Sequence, residues 1–138
     1  MKLKSTLIAT ILVFILSGLR GQTTINTQLL VGTWKFVRFD WPNFIPETAK
    51  IRKESNQIFK DATYQFTKDK KLIVTYPNDR TKSNSGLIYF VKANNIYVRP
   101  AGNSKVKPQV IEVDILDKMT LQIYVQGFEP VGIFNRIN

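Results

Sequence analysis

The sequence predicts an all-β fold: an eight-stranded antiparallel up-and-down barrel with a short helix between strands 1 and 2. Three observations predict it. From Ala62 onward, apolar and polar residues alternate with a period of two in short runs. The gaps between the runs are rich in Asn, Asp, Gly and Pro, the residues of tight turns. Before Ala62 only one stretch, Pro46 to about Lys60, is spaced as a helix. Tight turns make successive strands antiparallel neighbours, and closing eight of them into a barrel removes the two edges that an open sheet would expose.

Residues 1–21 read as a signal peptide. Met1-Lys2-Leu3-Lys4 is basic, Leu7 to Leu16 is apolar and uncharged, and Ser17-Gly18 and Gly21 are the small residues that a signal peptidase accepts. Cleavage is expected after Gly21, with Gln22 as the mature N-terminus and residues 22–138 as one domain. The uncharged run Ser5 to Leu19 is shorter than the roughly 20 residues that span a bilayer, so no stable membrane insertion is expected after cleavage. A lipoprotein needs a cysteine to carry its lipid, and the chain has none. The expected product is soluble and exported, periplasmic or extracellular.

In the mature chain, Gln22 to Gln28 is polar and reads as a loose arm. Leu29 to Phe39 alternates as the first strand, which puts Gly32, Trp34, Phe36 and Arg38 on one face. Pro42 and Pro46 end it. Pro46 then suits the first turn of the helix, with Glu47 near its start and Lys60 near its end as the macrodipole favours. Its apolar stripe (Ala49, Ile51, Ile58, Phe59) is thin and predicts a surface helix. The remaining strands are predicted at Ala62 to Thr67, Lys71 to Tyr76, Gly86 to Lys92, Asn95 to Arg99, Gln109 to Leu116, Thr120 to Val125 and Val131 to Ile137. In the sixth, Ile111, Val113 and Ile115 should face inward against Val110, Glu112 and Asp114.

Composition removes several function classes. Without cysteine there is no disulfide, thiolate metal site or cysteine nucleophile, and the domain must be held by packing alone. Without histidine, the commonest general base and the Ser-His-Asp relay are missing. Glu112 and Asp114 share a strand face, but that is also the spacing of an ordinary solvent-facing strand. A noncatalytic protein with no metal and no cofactor is expected. The formal charge of +10 becomes +7 once Lys2, Lys4 and Arg20 leave with the leader. The cations are scattered rather than clustered, so no nucleic-acid partner is expected.

Leu30-Val31-Gly32-Thr33-Trp34-Lys35 resembles the Gly-x-Trp signature that opens the first strand in lipocalins and fatty-acid-binding proteins, and Arg136 lies where such calycin-type barrels place an arginine on the last strand. The chain is most similar to small bacterial lipocalin-like domains. The resemblance implies that Gly32, Trp34 and Arg136 close one end of the barrel, with the guanidinium across the indole. It departs from full lipocalins in lacking the Thr-Asp-Tyr motif and a helix after strand 8. It departs from fatty-acid-binding proteins in lacking the Arg-x-Tyr clamp and two strands. The expected function is binding of a small hydrophobic or amphipathic ligand in the lumen, with Phe36, Arg38, Tyr64, Phe66 and Tyr89 as candidate ligand-binding residues. Tyr76, Phe90, Tyr97 and Tyr124 are further candidate aromatics. An inward Arg38 would need a carboxylate partner, water or an anionic ligand, and in the last case the cavity would suit an amphipathic anion; the other reading is that the strand ends or twists by that point and Arg38 extends into solvent. The alternative is a barrel filled solid that contacts a protein partner as an inhibitor or accessory subunit.

Overall fold

The computed structural model describes residues 24–137. Its eight antiparallel strands form a closed barrel in chain order: β1 (Gly32–Asp40), β2 (Thr63–Phe66), β3 (Lys71–Thr75), β4 (Asn84–Lys92), β5 (Asn95–Pro100), β6 (Gln109–Leu116), β7 (Thr120–Val125) and β8 (Val131–Ile137). Pairing of β1 with β8 closes it. A short helix α1 (Thr27–Leu30) precedes β1, helix α2 (Lys50–Phe59) joins β1 to β2, and a 3-10 turn (Arg80–Lys82) leads into β4. In this topology the β1–β2, β3–β4, β5–β6 and β7–β8 connections gather at one end, which carries α2. The approach to β1, the end of β8 and the other turns gather at the opposite end. Strands β6, β7 and β8 have the bounds that the alternation predicts; the others differ by one or two residues, except that β1 starts only at Gly32 because Thr27–Leu30 is helical.

The ladders shift register at three places, between β1 and β8, β3 and β4, and β6 and β7, and the shifts in β1 and β6 redirect side chains. In β1, Phe36 lies opposite Phe134 and Arg38 opposite Ile133, so Val37 is an extra residue on this strand. Past it, the faces exchange. Phe39 is buried, and Arg38 turns outward, where its side chain is 61% exposed and its Nε lies 3.2 Å from Asp40 Oδ1. Simple alternation would turn Arg38 inward; the structure shows the other reading, in which the strand is irregular before Arg38 and the side chain reaches into solvent, so its assignment as a ligand-binding residue is corrected. A bulge puts an aromatic ring in the core and leaves the guanidinium in water, avoiding the cost of an unpaired buried charge. In β6 the register shifts between Val113 and Ile115, and Ile115 is 44% exposed rather than inward.

The N-terminal segment is not a loose arm over Thr24 to Gln28; Gln22 and the leader lie outside the described residues. Ile25 is buried and its N–H donates to Ala93 O at 3.0 Å. The Asn26 side chain caps α1 by accepting from the Gln28 N–H, and Leu30 is wholly buried. Helix α2 starts at Lys50 instead of Pro46. Ala49 has extended backbone, and its N–H closes a separate turn on Pro46 O. Arg52 reaches back across this start, donating from Nη1 to Ile45 O at 3.0 Å with its guanidinium over the Trp41 ring. Glu47 thus lies outside the helix. The inner side of α2, with Ser55, Ile58 and Phe59, faces the mouth of the barrel.

Candidate functional site

The two ends of the barrel are built differently. At the closed end, Trp34 is wholly buried and its indole N–H donates to Leu30 O at 2.9 Å. Arg136, opposite Trp34 in the β1–β8 ladder, places its Cζ 4.3 Å from the centre of the indole. All three guanidinium nitrogens are engaged: Nε donates to Lys118 O at 2.8 Å, Nη1 to Val31 O at 2.9 Å, and Nη2 to Leu29 O. One side chain thus ties the first strand's approach, the β6–β7 turn and β8 together. Gly32 makes this approach feasible. Its φ of +145° suits glycine, and a Cβ there would collide with Arg136 Nη1.

Above this plug the barrel is solid. The Phe66 and Tyr89 rings meet edge-on at 5.1 Å, the Tyr89 hydroxyl donates to Thr67 O, and Leu72, Ile96 and Leu121 are buried beside them. Towards the open end the interior divides. On the β7–β8–β1 side an aromatic wall forms, in which Phe36 meets Phe39 at 4.7 Å and Phe134 at 5.6 Å, and Phe39 meets Phe59 at 4.7 Å. Gly132 leaves room for it, since a Cβ there would lie only 3.1 Å from the Phe134 ring. Towards β2 and β3 the aromatic wall ends on two tyrosines, Tyr64 meeting Phe134 at 4.9 Å and Tyr76 meeting Phe59 at 5.1 Å. A half-open cavity of ≈ 420 Å³ remains, with Leu72, Val74, Leu87, Val98 and Ile111 along its sides and Ile58, Phe59 and Phe128 at its roof.

The polar groups of this cavity are hydrogen-bond donors or neutral amides. Tyr64 and Tyr76 pair through their hydroxyls at 2.6 Å. Burial raises the pKa of Tyr64 well above the ordinary tyrosine value, and the charge and hydrogen bond of Tyr76 push it the same way. Burial also raises Tyr76, against the hydrogen bond from Tyr64. Both phenols therefore stay protonated at neutral pH. Ser55, Lys82, Asn84 and Gln109 complete the polar lining, which contains no carboxylate. Lys82 is its single charged side chain and makes no ion pair among the described residues. Nearby Asp79 instead accepts from the Thr81 hydroxyl.

Of the residues predicted to bind ligand, Tyr64 lines the cavity. Phe36 belongs to the aromatic wall, Phe66 and Tyr89 to the solid lower half, and Arg38 to the outer surface. Among the further aromatics, Tyr76 lines the cavity. Phe90 and Tyr97 stack on each other outside the barrel, 4.9 Å apart and nearly parallel, and alternation along β7 puts Tyr124 on the outer face. Sequence reasoning missed Ser55, Lys82 and Phe128. A serine on the inner side of an otherwise apolar helix stripe was a usable signal for Ser55. For Lys82 and Phe128, both in loops, no periodicity exists to read. Among the described residues no group of three or more His, Cys, Asp or Glu side chains comes together to hold a metal ion, and no helix is long and apolar enough to cross a membrane.

Comparisons with protein-family models, with curated proteins and with solved structures return no match.

Proposed function

We propose that this protein is an exported, noncatalytic lipocalin-like barrel that binds a small apolar or amphipathic molecule in the upper half of its lumen. The observation that carries the proposal is the ≈ 420 Å³ cavity beneath α2, apolar on its sides and set with a few convergent polar groups. Its size falls in the range of about 300–1,000 Å³ that small-molecule sites occupy. The Trp34–Arg136 closure supports the lipocalin-like reading, and export rests on the leader sequence.

The test is titration with N-phenylnaphthylamine, an uncharged probe whose emission rises in apolar surroundings. We expect saturable binding to one site per chain. Val98→Phe, which adds a ring to the cavity wall, should abolish binding while leaving the thermal transition in place. Failure of the probe to bind the folded protein would replace this proposal with the interaction-module reading, an inhibitor or accessory subunit.

A further inference from the structure

The chemistry of the cavity selects among amphipathic ligands, an inference that rests on the lumen-binding proposal. A pair of hydroxyls holds two O–H groups, and the bond between Tyr64 and Tyr76 uses one of them. Neither hydroxyl has another partner among the described residues, so one donor of the pair is left over in a buried position. Both hydroxyls border the half-open cavity, where an acceptor brought by a ligand could take up that donor. Lys82 adds a cation on the same cavity, unpaired among the described residues, and no carboxylate lines the site to attract a basic ligand or repel an acidic one. Ser55, Asn84 and Gln109 accept as readily as they donate and do not set the sign. The balance of the lining therefore favours a ligand that is all acceptor at its polar end.

We propose that the lumen takes an amphipathic organic acid with a single anionic head, its apolar body against Leu72, Val98 and Ile111 and its head drawn to the Lys82 ammonium and accepting from the Tyr64–Tyr76 hydroxyl pair. Carboxylate and sulfonate heads share the required chemistry. Amines and uncharged amphipaths lack it.

The experiment compares matched probes on the purified protein: anilinonaphthalene sulfonate against N-phenylnaphthylamine, and decanoate against decanol as competitors. The anion of each pair should bind more tightly. Lys82→Gln should weaken the two anions by about tenfold, the scale of one charge-assisted contact at a partly wetted mouth. It should leave the neutral partners within about twofold, as expected of uncharged bodies held by apolar contact. Lys82→Arg should restore the preference, and Arg38→Gln, outside the barrel, should change nothing. Tyr64→Phe/Tyr76→Phe, which removes both hydroxyls without orphaning either, should weaken decanoate several-fold. Equal affinities for charged and neutral partners, or anion binding untouched by Lys82→Gln, would overturn this inference and leave the lumen-binding proposal standing. Binding of neither pair would overturn both. Because Lys82 is exposed, its variants stay informative even if the double tyrosine variant fails to fold.

Discussion

Arg136→Ala removes the side chain that closes the barrel, and its cost can be worked from the contacts. The guanidinium donates to three backbone carbonyls, those of Leu29, Val31 and Lys118, and lies over the Trp34 ring. Hydrogen bonds from a charged donor contribute about 1.5–3 kcal/mol each, and a cation–π contact between about 0.5 and 2 kcal/mol according to its desolvation. At the low end these total about 5 kcal/mol. Water can reach the Lys118 carbonyl once the side chain is gone, which brings the expectation to about 4 kcal/mol. For a barrel of this size that is a fall in Tm of roughly 15 °C. Arg136→Lys keeps the charge but loses the planar fork, and should fall about halfway between. Thermal and urea unfolding followed by far-UV circular dichroism measure the loss. A Trp41→Phe background isolates Trp34, because the chain has two tryptophans. Trp34 emission should shift to the red in Arg136→Ala as the ring loses its cover. A stability change below about 1 kcal/mol with unchanged emission would show that the closure contributes no more than an ordinary surface side chain.

Gly32→Ala should cost at least about 2 kcal/mol in urea unfolding, since it combines backbone strain at positive φ with displacement of Arg136. Trp41→Phe should be nearly neutral, within about 1 kcal/mol, because the Trp41 indole N–H is buried with no acceptor among the described residues and its removal offsets the lost ring area; the same change at Trp34 breaks the bond to Leu30 and should cost clearly more. The raised pKa values of Tyr64 and Tyr76 predict alkaline sensitivity: in the unfolded chain both phenols lose protons near 10.0, before they do when folded. The unfolded state then binds fewer protons, so their contribution is fully present below about pH 10 and is lost as pH rises beyond it. Tm measured against pH should fall less steeply above pH 10 in the double phenylalanine variant.

How far the sequence could be read depended on whether a residue's position follows from local rules. Strands β6 and β7 were legible to their terminal residues because turn chemistry flanks them, and the start of β8 because Gly127 to Pro130 precedes it. At the closed end it was the resemblance of Gly32-Thr33-Trp34 and Arg136 to the calycin-type signature, not any local rule, that pointed to the contact of Arg136 with Trp34. The bulges in β1 and β6 were not legible. An inserted residue such as Val37 is compatible with a strand of either register, and the choice is made by packing across the barrel, where Phe39 finds Phe36, Phe59 and Phe128. The start of α2 was misread because Pro46 suits a first helical turn, yet Ala49 takes extended backbone and Arg52 reaches back over seven residues to Ile45 O. Lys82 and Phe128 reach the cavity from loops whose course no periodicity records.

The extra residue in β1 decides both the shape and the chemistry of the candidate site. A strand without it would carry Arg38 inward beside Trp34 and Phe36, setting a cation in the interior and turning Phe39 to solvent. With it, Phe39 completes the aromatic wall on the β7–β8–β1 side, and the vacant half of the lumen is confined to the β2–β6 side under α2. Strand β2 has only four residues there, so the rim is made by α2 and the β3–β4 connection instead of by a longer ladder. That connection carries Lys82. The positive charge of the cavity thus comes from a side chain that stays hydrated when the lumen is empty, which avoids the desolvation that a buried Arg38 would impose before any ligand arrived. At the closed end the guanidinium of Arg136 has every donor nitrogen engaged by backbone carbonyls, whereas in the open half one O–H of the Tyr64–Tyr76 pair and the Lys82 ammonium have no protein acceptor among the described residues. That contrast is the physical basis for assigning structure to the first and ligand recognition to the second.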